Sequence, residues 1–337
     1  MTSKMKLSYI IPIYNGEKSI LGTLNSIYAV GLEETDFEII VVDDCSKDNT
    51  ISVLNEYAKL HPNIHILQQS FNQKQGMARN RAIPLAIGEY ITFVDADDIV
   101  EIGMCDALNM AIKSEVDLVL CQTQGRNAVG EYTKHHLCEE HDILDGREFL
   151  NRHYHWHLPG APWGYLFKRA YLQSNNIRFI PERFHEDADW ILKQIYYAKS
   201  IEVCKSLIYT YVENANSTIH QTNSLRVADS VHADYRVLRF AKEHILEAAS
   251  FSAACIIDRS YSIDGKLTRL WKLDDGKYSA FYQRLTDETR KYLSENMDNA
   301  ACHKITLLLL QHKYISLSIL YLFARPLYIL RKIVRKP

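Results

Sequence analysis

Short apolar segments rich in β-branched residues alternate with amphipathic segments along the first 120 residues. The apolar segments span residues 9–13, 38–42, 64–67, 90–94 and 117–121. Between the first two, Ile20, Leu24 and Ile27 recur at the spacing of one helix face. This alternation predicts an α/β fold in which a mostly parallel sheet carries helices on both faces. Ligands bind at the carboxyl ends of the strands in such sheets, so the polar residues that follow each strand are candidates for function.

The alternation fades after residue 122. Residues 123–160 are polar and predict loops with short elements, whereas residues 161–225 predict mixed helix and strand. Helical periodicity returns from about residue 225. We therefore predict an α/β domain over residues 1–225, followed by a helical C-terminal region over residues 226–337.

Composition and charge narrow the classes of protein to which the chain can belong. Apolar residues make up 47% and charged residues 24%, close to the average of soluble domains. The formal net charge of −2 argues against a nucleic-acid-binding protein. Seven cysteines at wide spacing, without a C-x-x-C motif, predict reduced thiols in the cytoplasm. The apolar run over residues 7–13 is short and contains Pro12, so we expect no secretion signal there.

The segment over residues 301–337 carries seven Lys or Arg residues and no acidic residue. Its longest uninterrupted apolar run, residues 314–324, is too short to span a bilayer. In a helix, Leu327, Leu330 and Ile333 would share one face and the basic residues would lie on the other. This pattern is typical of a helix on an anionic membrane surface. The alternative is a helix that packs on the rest of the chain or on a second copy of it.

The residues after the first three strands could contact a nucleotide. Tyr14 follows Pro12 and offers an aromatic ring for a flat base, while Asp43 and Asp44 could accept hydrogen bonds from a base or a ribose. The alternatives are a plain turn after the first strand and a helix cap after the second. Arg79 could bind a diphosphate through its guanidinium group, although a single arginine is more often a surface residue.

A carboxylate cluster, Asp-Ala-Asp-Asp over residues 95–98, follows the fourth strand. Three carboxylates this close repel one another unless they share a cation or one of them is solvated. Oxygen ligands with open positions suit Mg²⁺ or Mn²⁺ bound jointly with phosphates. The alternatives are a helix cap formed by Asp97 or Asp98 and a phosphatase-type nucleophile.

Taken together, these segments resemble family 2 of the inverting glycosyltransferases, which have the GT-A fold. The matching segments are residues 8–15, 41–46, 72–80, 88–98, 162–169 and 185–187. The resemblance covers residues 6–220, so the domain over residues 1–225 is expected to be a GT-A catalytic domain.

The resemblance implies a role for each matched residue on the donor side. A nucleotide-sugar, expected to be a UDP-sugar, would be bound by Pro12, Tyr14, Asp43, Asp44, Asn72, Arg79, Asp95 and Ala96. Asp97 would ligate the Mn²⁺ or Mg²⁺ ion, with Asp95 beside it. His220 could supply a further ligand to the metal or the diphosphate.

On the acceptor side, the resemblance implies that Asp187 is the general base and that Glu186 orients groups beside it. Trp163 belongs to the matched acceptor segment, and Trp156 lies in the histidine-rich segment 152–157. A sugar ring could stack on either tryptophan. The histidines of that segment would share one face of a strand and could bind a structural metal, but an acceptor-lining loop is the favoured interpretation.

The sequence thus predicts a metal-dependent inverting glycosyltransferase that transfers a sugar from a UDP-sugar to a hydroxyl of a glycan or lipid-linked glycan. We expect it to act in surface polysaccharide or glycolipid synthesis, in the cytoplasm and peripherally on the inner face of the cell membrane. A sugar nucleotidyltransferase of similar fold and a catalytically silent scaffold are the alternatives. The sequence specifies neither the sugar nor the acceptor, and it leaves homo-oligomer formation open.

Overall fold

A computed structural model describes residues 5–135, 137–153, 160–181, 184–213 and 224–244. Trp156, His220 and the basic segment over residues 301–337 lie outside the described residues. The predictions made for them therefore stay predictions.

Four parallel strands form one half of a single sheet. They are β1 (Leu7–Ile13), β2 (Phe37–Asp43), β3 (Ile64–Gln68) and β4 (Tyr90–Phe93), in the spatial order β3-β2-β1-β4. The carboxyl ends of β1 to β3 align, because Ile13 pairs with Asp43 and Asp43 pairs with Gln68, whereas Phe93 at the end of β4 pairs with Ile10. Every residue of β1 and β2 is buried, as expected for strands covered on both faces.

Helices pack on both faces of this half, and the predicted α/β architecture is confirmed. The helices are α1 (Ile20–Ala29), α2 (Thr50–Ala58), α3 (Lys74–Ala82), α4 (Met104–Ser114), α5 (Gly146–His153), α6 (Arg169–Ser174), α7 (Ala188–Tyr197) and α8 (Ser224–Glu243). On one face Leu24 of α1 joins an apolar cluster with Ile11 of β1. On the other face Ala78 of α3 joins a second cluster with Ile10.

The other half of the sheet is mixed. It contains β5 (Ile99–Val100), β6 (Leu118–Arg126), β7 (Tyr132–Lys134), β8 (Tyr165–Lys168) and β9 (Ile201–Val212). The order continues as β4-β8-β6-β9-β5, and β8 runs antiparallel to both of its neighbours. The β5 strand pairs antiparallel with β9, which places the residues after β4 directly beside β9. The polar segment after residue 122 thus contains the end of β6, β7 and α5, in addition to loops.

Neither the strand of the metal-binding alternative nor the favoured acceptor-lining loop is found at the first two residues of the segment 152–157. Arg152 and His153 form the last turn of α5, so they do not alternate across a strand. Nε2 of His153 lies 2.8 Å from Oε2 of Glu140, which is the carboxylate partner that the sequence did not reveal. Among the described residues, no group of three or more His, Cys, Asp or Glu side chains could hold a metal ion.

Helix α8 packs on α7. The ring of Phe240 lies 5.2 Å from that of Tyr196, and Val237 and Ala241 are buried in the same apolar cluster. Within the described part of the chain, no helix is long and apolar enough to cross a membrane. The domain boundary near residue 225 stays a prediction.

Candidate active site

Asp44, directly after β2, holds the loop that leads from β3 into α3. Its Oδ1 accepts hydrogen bonds from the backbone N–H of Gln73 at 2.7 Å and from Nε2 of Gln69 at 2.8 Å. Its Oδ2 accepts one from the backbone N–H of Lys74 at 2.8 Å. Burial raises the pKa of Asp44, while the two backbone bonds oppose that shift. The carboxylate therefore has a structural function in addition to the nucleotide contact expected of it.

The other residues predicted to bind the nucleotide-sugar donor lie at the carboxyl ends of the same strands. Pro12 is buried within β1, whereas the ring of Tyr14 is 49% exposed and free to meet a flat ligand. Asp43 accepts a hydrogen bond from the backbone N–H of Ser46 at 3.2 Å, and Nδ2 of Asn72 donates to the Asp44 carbonyl at 3.2 Å. These contacts gather Tyr14, Asp43, Asp44 and Asn72 around the ends of β1 and β2.

The helix-cap interpretation of Asp43 and Asp44 is wrong. Helix α2 begins at Thr50, six positions beyond Asp44. The carboxylate at its first turn is that of Asp48, which accepts hydrogen bonds from the backbone N–H of Thr50 at 3.1 Å and of Glu17 at 3.2 Å.

The three carboxylates after β4 point in different directions. Asp97 is exposed, Asp95 is partly exposed, and Asp98 is 1% exposed. Oδ1 of Asp98 accepts a hydrogen bond from the Val212 backbone at 2.7 Å, and Oδ2 accepts one from the Tyr209 hydroxyl. Burial, reinforced by the charge of Asp95, raises the pKa of Asp98 to about 8. Asp98 caps no helix, since α4 begins at Met104.

Arg79 of α3 joins the turn after β4 to the segment before α7. Its Nη2 lies 2.8 Å from Oδ1 of Asp95, and its Nη1 lies 2.8 Å from Oε1 of Glu186. The side chain is 1% exposed, so the interpretation as a surface arginine is wrong. Burial by itself would lower the pKa of Arg79, but the carboxylates of Asp95, Glu186 and Asp187 outweigh it and raise the pKa. A permanent positive charge therefore lies between the two acidic segments.

Asp187 lies at the N-cap position of α7, beside buried Glu186. Burial, together with the charge of Glu186, raises the pKa of Asp187 to about 7, and Arg79 opposes that shift. Burial also raises the pKa of Glu186. A general base is most effective when its pKa lies near the operating pH, so Asp187 has the ionisation behaviour that the predicted base requires.

Gly76 allows α3 to approach Glu186 closely. A Cβ atom at this position would lie 2.6 Å from Cγ of Glu186 and 3.0 Å from Cβ of Phe179. Any larger residue would displace Glu186, and with it the ion pair to Arg79. This packing function of Gly76 was not predictable from the sequence, because the residues that it faces are about 100 positions away along the chain.

Trp163 packs in an aromatic group beside the carboxylate turn. Its ring lies 5.0 Å from that of Tyr209 at an interplanar angle of 6°, and 6.1 Å from that of Tyr211. The ring of His135 lies 6.0 Å away. Gly164 follows with a φ of +85°, the left-handed region that favours glycine. The acceptor function of Trp163 stays a prediction, and part of the ring is already covered by protein.

The residues after β4 suit a divalent cation by the chemistry of their ligands. Magnesium is commonly bound through one or two carboxylates, with water and substrate phosphates completing its coordination. Asp95 and Asp97 offer such carboxylates just beyond the carboxyl end of β4, and Ala96 lies between them. Asp98 is excluded as a ligand, because both of its oxygens accept hydrogen bonds from the protein.

Comparison with known proteins identifies the family. The family model described as Glycosyl transferase family 2 matches residues 8–173. The chain is 25% identical over 316 residues to the uncharacterized glycosyltransferase YibD of Escherichia coli K12, covering 86% of this chain and 89% of YibD. It is 30% identical over 250 residues to the poly(ribitol-phosphate) β-N-acetylglucosaminyltransferase TarS of Staphylococcus aureus Mu50. Residues 8–173 form a glycosyltransferase family 2 domain.

The alignment with TarS covers 72% of this glycosyltransferase but 41% of TarS. A crystal structure of S. aureus TarS in complex with UDP-GlcNAc has a TM-score of 0.58 at 22% identity, covering 85% of this chain and 89% of that one. The mannosyltransferase PcManGT of Pyrobaculum calidifontis, in complex with GDP-Man and Mn²⁺, has a TM-score of 0.51 at 17% identity, covering 86% and 85%. These structures show that the glycosyltransferase has a GT-A-like fold.

Proposed function

We propose that this glycosyltransferase transfers a sugar from a UDP-sugar to a hydroxyl of a glycan or lipid-linked glycan, with inversion at the anomeric carbon. One observation carries the proposal. The buried guanidinium group of Arg79 bridges Asp95, an expected metal ligand, and Glu186, which directly precedes Asp187. The UDP-GlcNAc bound to TarS supports a UDP-sugar as the donor.

Asp187 acts as the general base. A hydroxyl group is a poor nucleophile until its proton is removed, and a carboxylate within hydrogen-bond reach can accept that proton as the new glycosidic bond forms. With the pKa of Asp187 raised to about 7, the ionised form is available near neutral pH and still has appreciable basicity. Glu186 and Arg79 hold the segment on which Asp187 lies.

On the donor side, Tyr14 stacks on the base and Asp95 and Asp97 hold a Mg²⁺ or Mn²⁺ ion. The ion would offset the negative charge that grows on the leaving diphosphate. The Mn²⁺ bound together with GDP-Man in PcManGT supports a divalent cation at this place.

We also propose that the glycosyltransferase acts in the cytoplasm, peripherally on the inner face of the membrane, through the basic segment over residues 301–337. The support is the charge pattern of that segment, together with relatives such as TarS, whose name describes transfer to poly(ribitol-phosphate). That name favours a glycan-like surface polymer as the acceptor class.

The experiment is a panel of UDP-sugars incubated with the full chain and Mn²⁺, with UDP and pyrophosphate measured separately. We expect UDP release from one sugar, loss of the activity when EDTA is added, and recovery with excess Mn²⁺. A parallel incubation with UTP and sugar 1-phosphates that releases pyrophosphate, with no UDP released from the UDP-sugars, would favour the nucleotidyltransferase. A chain that neither binds nor hydrolyses any of the donors would favour the silent scaffold and contradict the proposal.

A further inference from the structure

The hydroxyl group of Tyr209 joins both ends of the carboxylate turn after β4. It donates a hydrogen bond to Oδ2 of Asp98, and it accepts one from the backbone N–H of Asp95 at 3.1 Å. Tyr209 lies 114 positions beyond Asp95, so this contact ties the turn to a distant strand. One side chain therefore restrains the residues on either side of Asp97.

Asp98 is the second half of this contact. Besides Tyr209, its carboxylate accepts the Val212 backbone N–H at 2.7 Å, and its carbonyl accepts the Thr23 hydroxyl at 2.8 Å. Its own backbone N–H donates to the Asp95 carbonyl at 3.2 Å, which closes the turn. Asp98 therefore links the turn to α1 and to the end of β9.

Tyr209 is itself rigidly held. It is 1% exposed and pairs with Val100 in the β5–β9 ladder. The ring of Trp163 stacks on it in nearly parallel orientation. Because the backbone and the ring of Tyr209 are both held by these contacts, its hydroxyl group is held in one position relative to the turn.

We infer that Tyr209 and Asp98 are positioning residues, which fix the turn over residues 95–98 so that Asp95 and Asp97 present their carboxylates together to the cation–diphosphate group of the donor. The inference rests on the proposed function and adds to it two residues that contact neither donor nor acceptor. It also explains how three neighbouring carboxylates coexist. Arg79 compensates Asp95, Asp98 is turned into the protein, and Asp97 remains exposed.

The test measures the affinity of the full chain for UDP in saturating Mn²⁺ by calorimetry. Tyr209→Phe removes both the hydrogen bond to Asp98 and the one from the Asp95 backbone N–H, so we expect it to weaken binding roughly tenfold or more. The matched control is Tyr9→Phe. The Tyr9 hydroxyl is also buried, yet it has no hydrogen-bond partner among the described residues. We expect the affinity of this control to stay within about twofold of the wild type.

A second variant keeps the test informative should Tyr209→Phe fail to fold. Asp98→Asn keeps an acceptor for the Val212 N–H, but its amide nitrogen cannot accept the Tyr209 hydroxyl proton. We expect it to weaken binding to a similar extent, and we expect the double variant to be no weaker than either single one. Non-additivity of this kind marks two residues that act through one interaction.

The outcomes separate the inference from the proposed function. A wild-type chain that binds no UDP with Mn²⁺ contradicts both. A wild type that binds UDP, with Tyr209→Phe or Asp98→Asn binding equally well, contradicts the positioning function alone. A variant that melts at lower temperature but keeps its UDP affinity shows that the contact serves stability only, which also overturns the inference.

Discussion

The charges around Asp187 predict that two substitutions shift the pH dependence of turnover in opposite directions. Arg79→Gln removes the positive charge that lowers the pKa of Asp187, while Glu186→Gln removes the negative charge that raises it. At an effective dielectric constant of about 20, a unit charge several ångströms away contributes on the order of 2 kcal/mol, or roughly 1–2 pKa units. We therefore expect the pKa of Asp187 to rise above about 7 in Arg79→Gln and to fall below it in Glu186→Gln, each by on the order of one unit.

The assay is the pH profile of kcat between pH 5 and 9 at saturating donor. Only ionised Asp187 accepts a proton, so turnover rises with pH through its pKa, and the acid limb should move up in Arg79→Gln and down in Glu186→Gln. Arg79→Gln leaves two carboxylates without their partner, at a cost of about 3–5 kcal/mol of stability. Folding is therefore checked by circular dichroism at the assay temperature.

Both variants retain the other charged groups near Asp187. Asp95 acts on Asp187 in the same direction as Glu186, and Arg236 of α8 reaches the His185 carbonyl at 3.1 Å. The control is Lys6→Gln, which removes an ion pair of 2.8 Å with Asp36 at the amino ends of β1 and β2. This variant should leave the pH profile unchanged. Shifts in the same direction, or none, would refute the account of these charges.

Two further predictions follow from packing and from charge. Gly76→Ala should displace Glu186, which lowers turnover by roughly tenfold or more and stability by about 1–3 kcal/mol. The control is Gly22→Ala, because nothing lies within 4 Å of the added Cβ. It should leave turnover unchanged and stabilise α1 slightly. Thermal melts and single-turnover rates compare them, and equal behaviour would contradict the close approach of α3. Replacing the four basic residues between 331 and 336 by Gln should reduce co-sedimentation with phosphatidylglycerol vesicles at least tenfold, while unchanged binding would remove the membrane proposal.

Local patterns were enough to predict the parallel strands and the resemblance to the family. The first four apolar segments correspond to β1 to β4. Strands β1, β2 and β4 are buried throughout and read as continuous apolar runs, whereas β3 is partly exposed. The family and the α/β fold are confirmed. The site residues expected from the motifs stay predictions, although Arg79, Asp95, Glu186 and Asp187 do lie together.

The features that the sequence did not reveal all depend on contacts between distant residues. The partners of Arg79 lie 16 and 107 positions away, so nothing near it indicates that it is buried. Tyr209 is one of two tyrosines in β9, and neither spacing nor a motif distinguishes it from Tyr211. His153 lies in a polar stretch, and its carboxylate partner Glu140 lies 13 positions earlier, outside α5.

The central claim is that Asp187 removes the proton of the acceptor hydroxyl, and Asp187→Asn tests it most directly. The variant keeps the shape of the side chain but cannot accept a proton, and a positioned general base is worth roughly 10²–10⁴ in rate. With the donor found in the UDP-sugar panel and the wild type as reference, we predict that kcat falls at least about 100-fold while calorimetry gives an unchanged affinity for UDP with Mn²⁺. Turnover within a few-fold of the wild type, at equal UDP affinity, would contradict the claim.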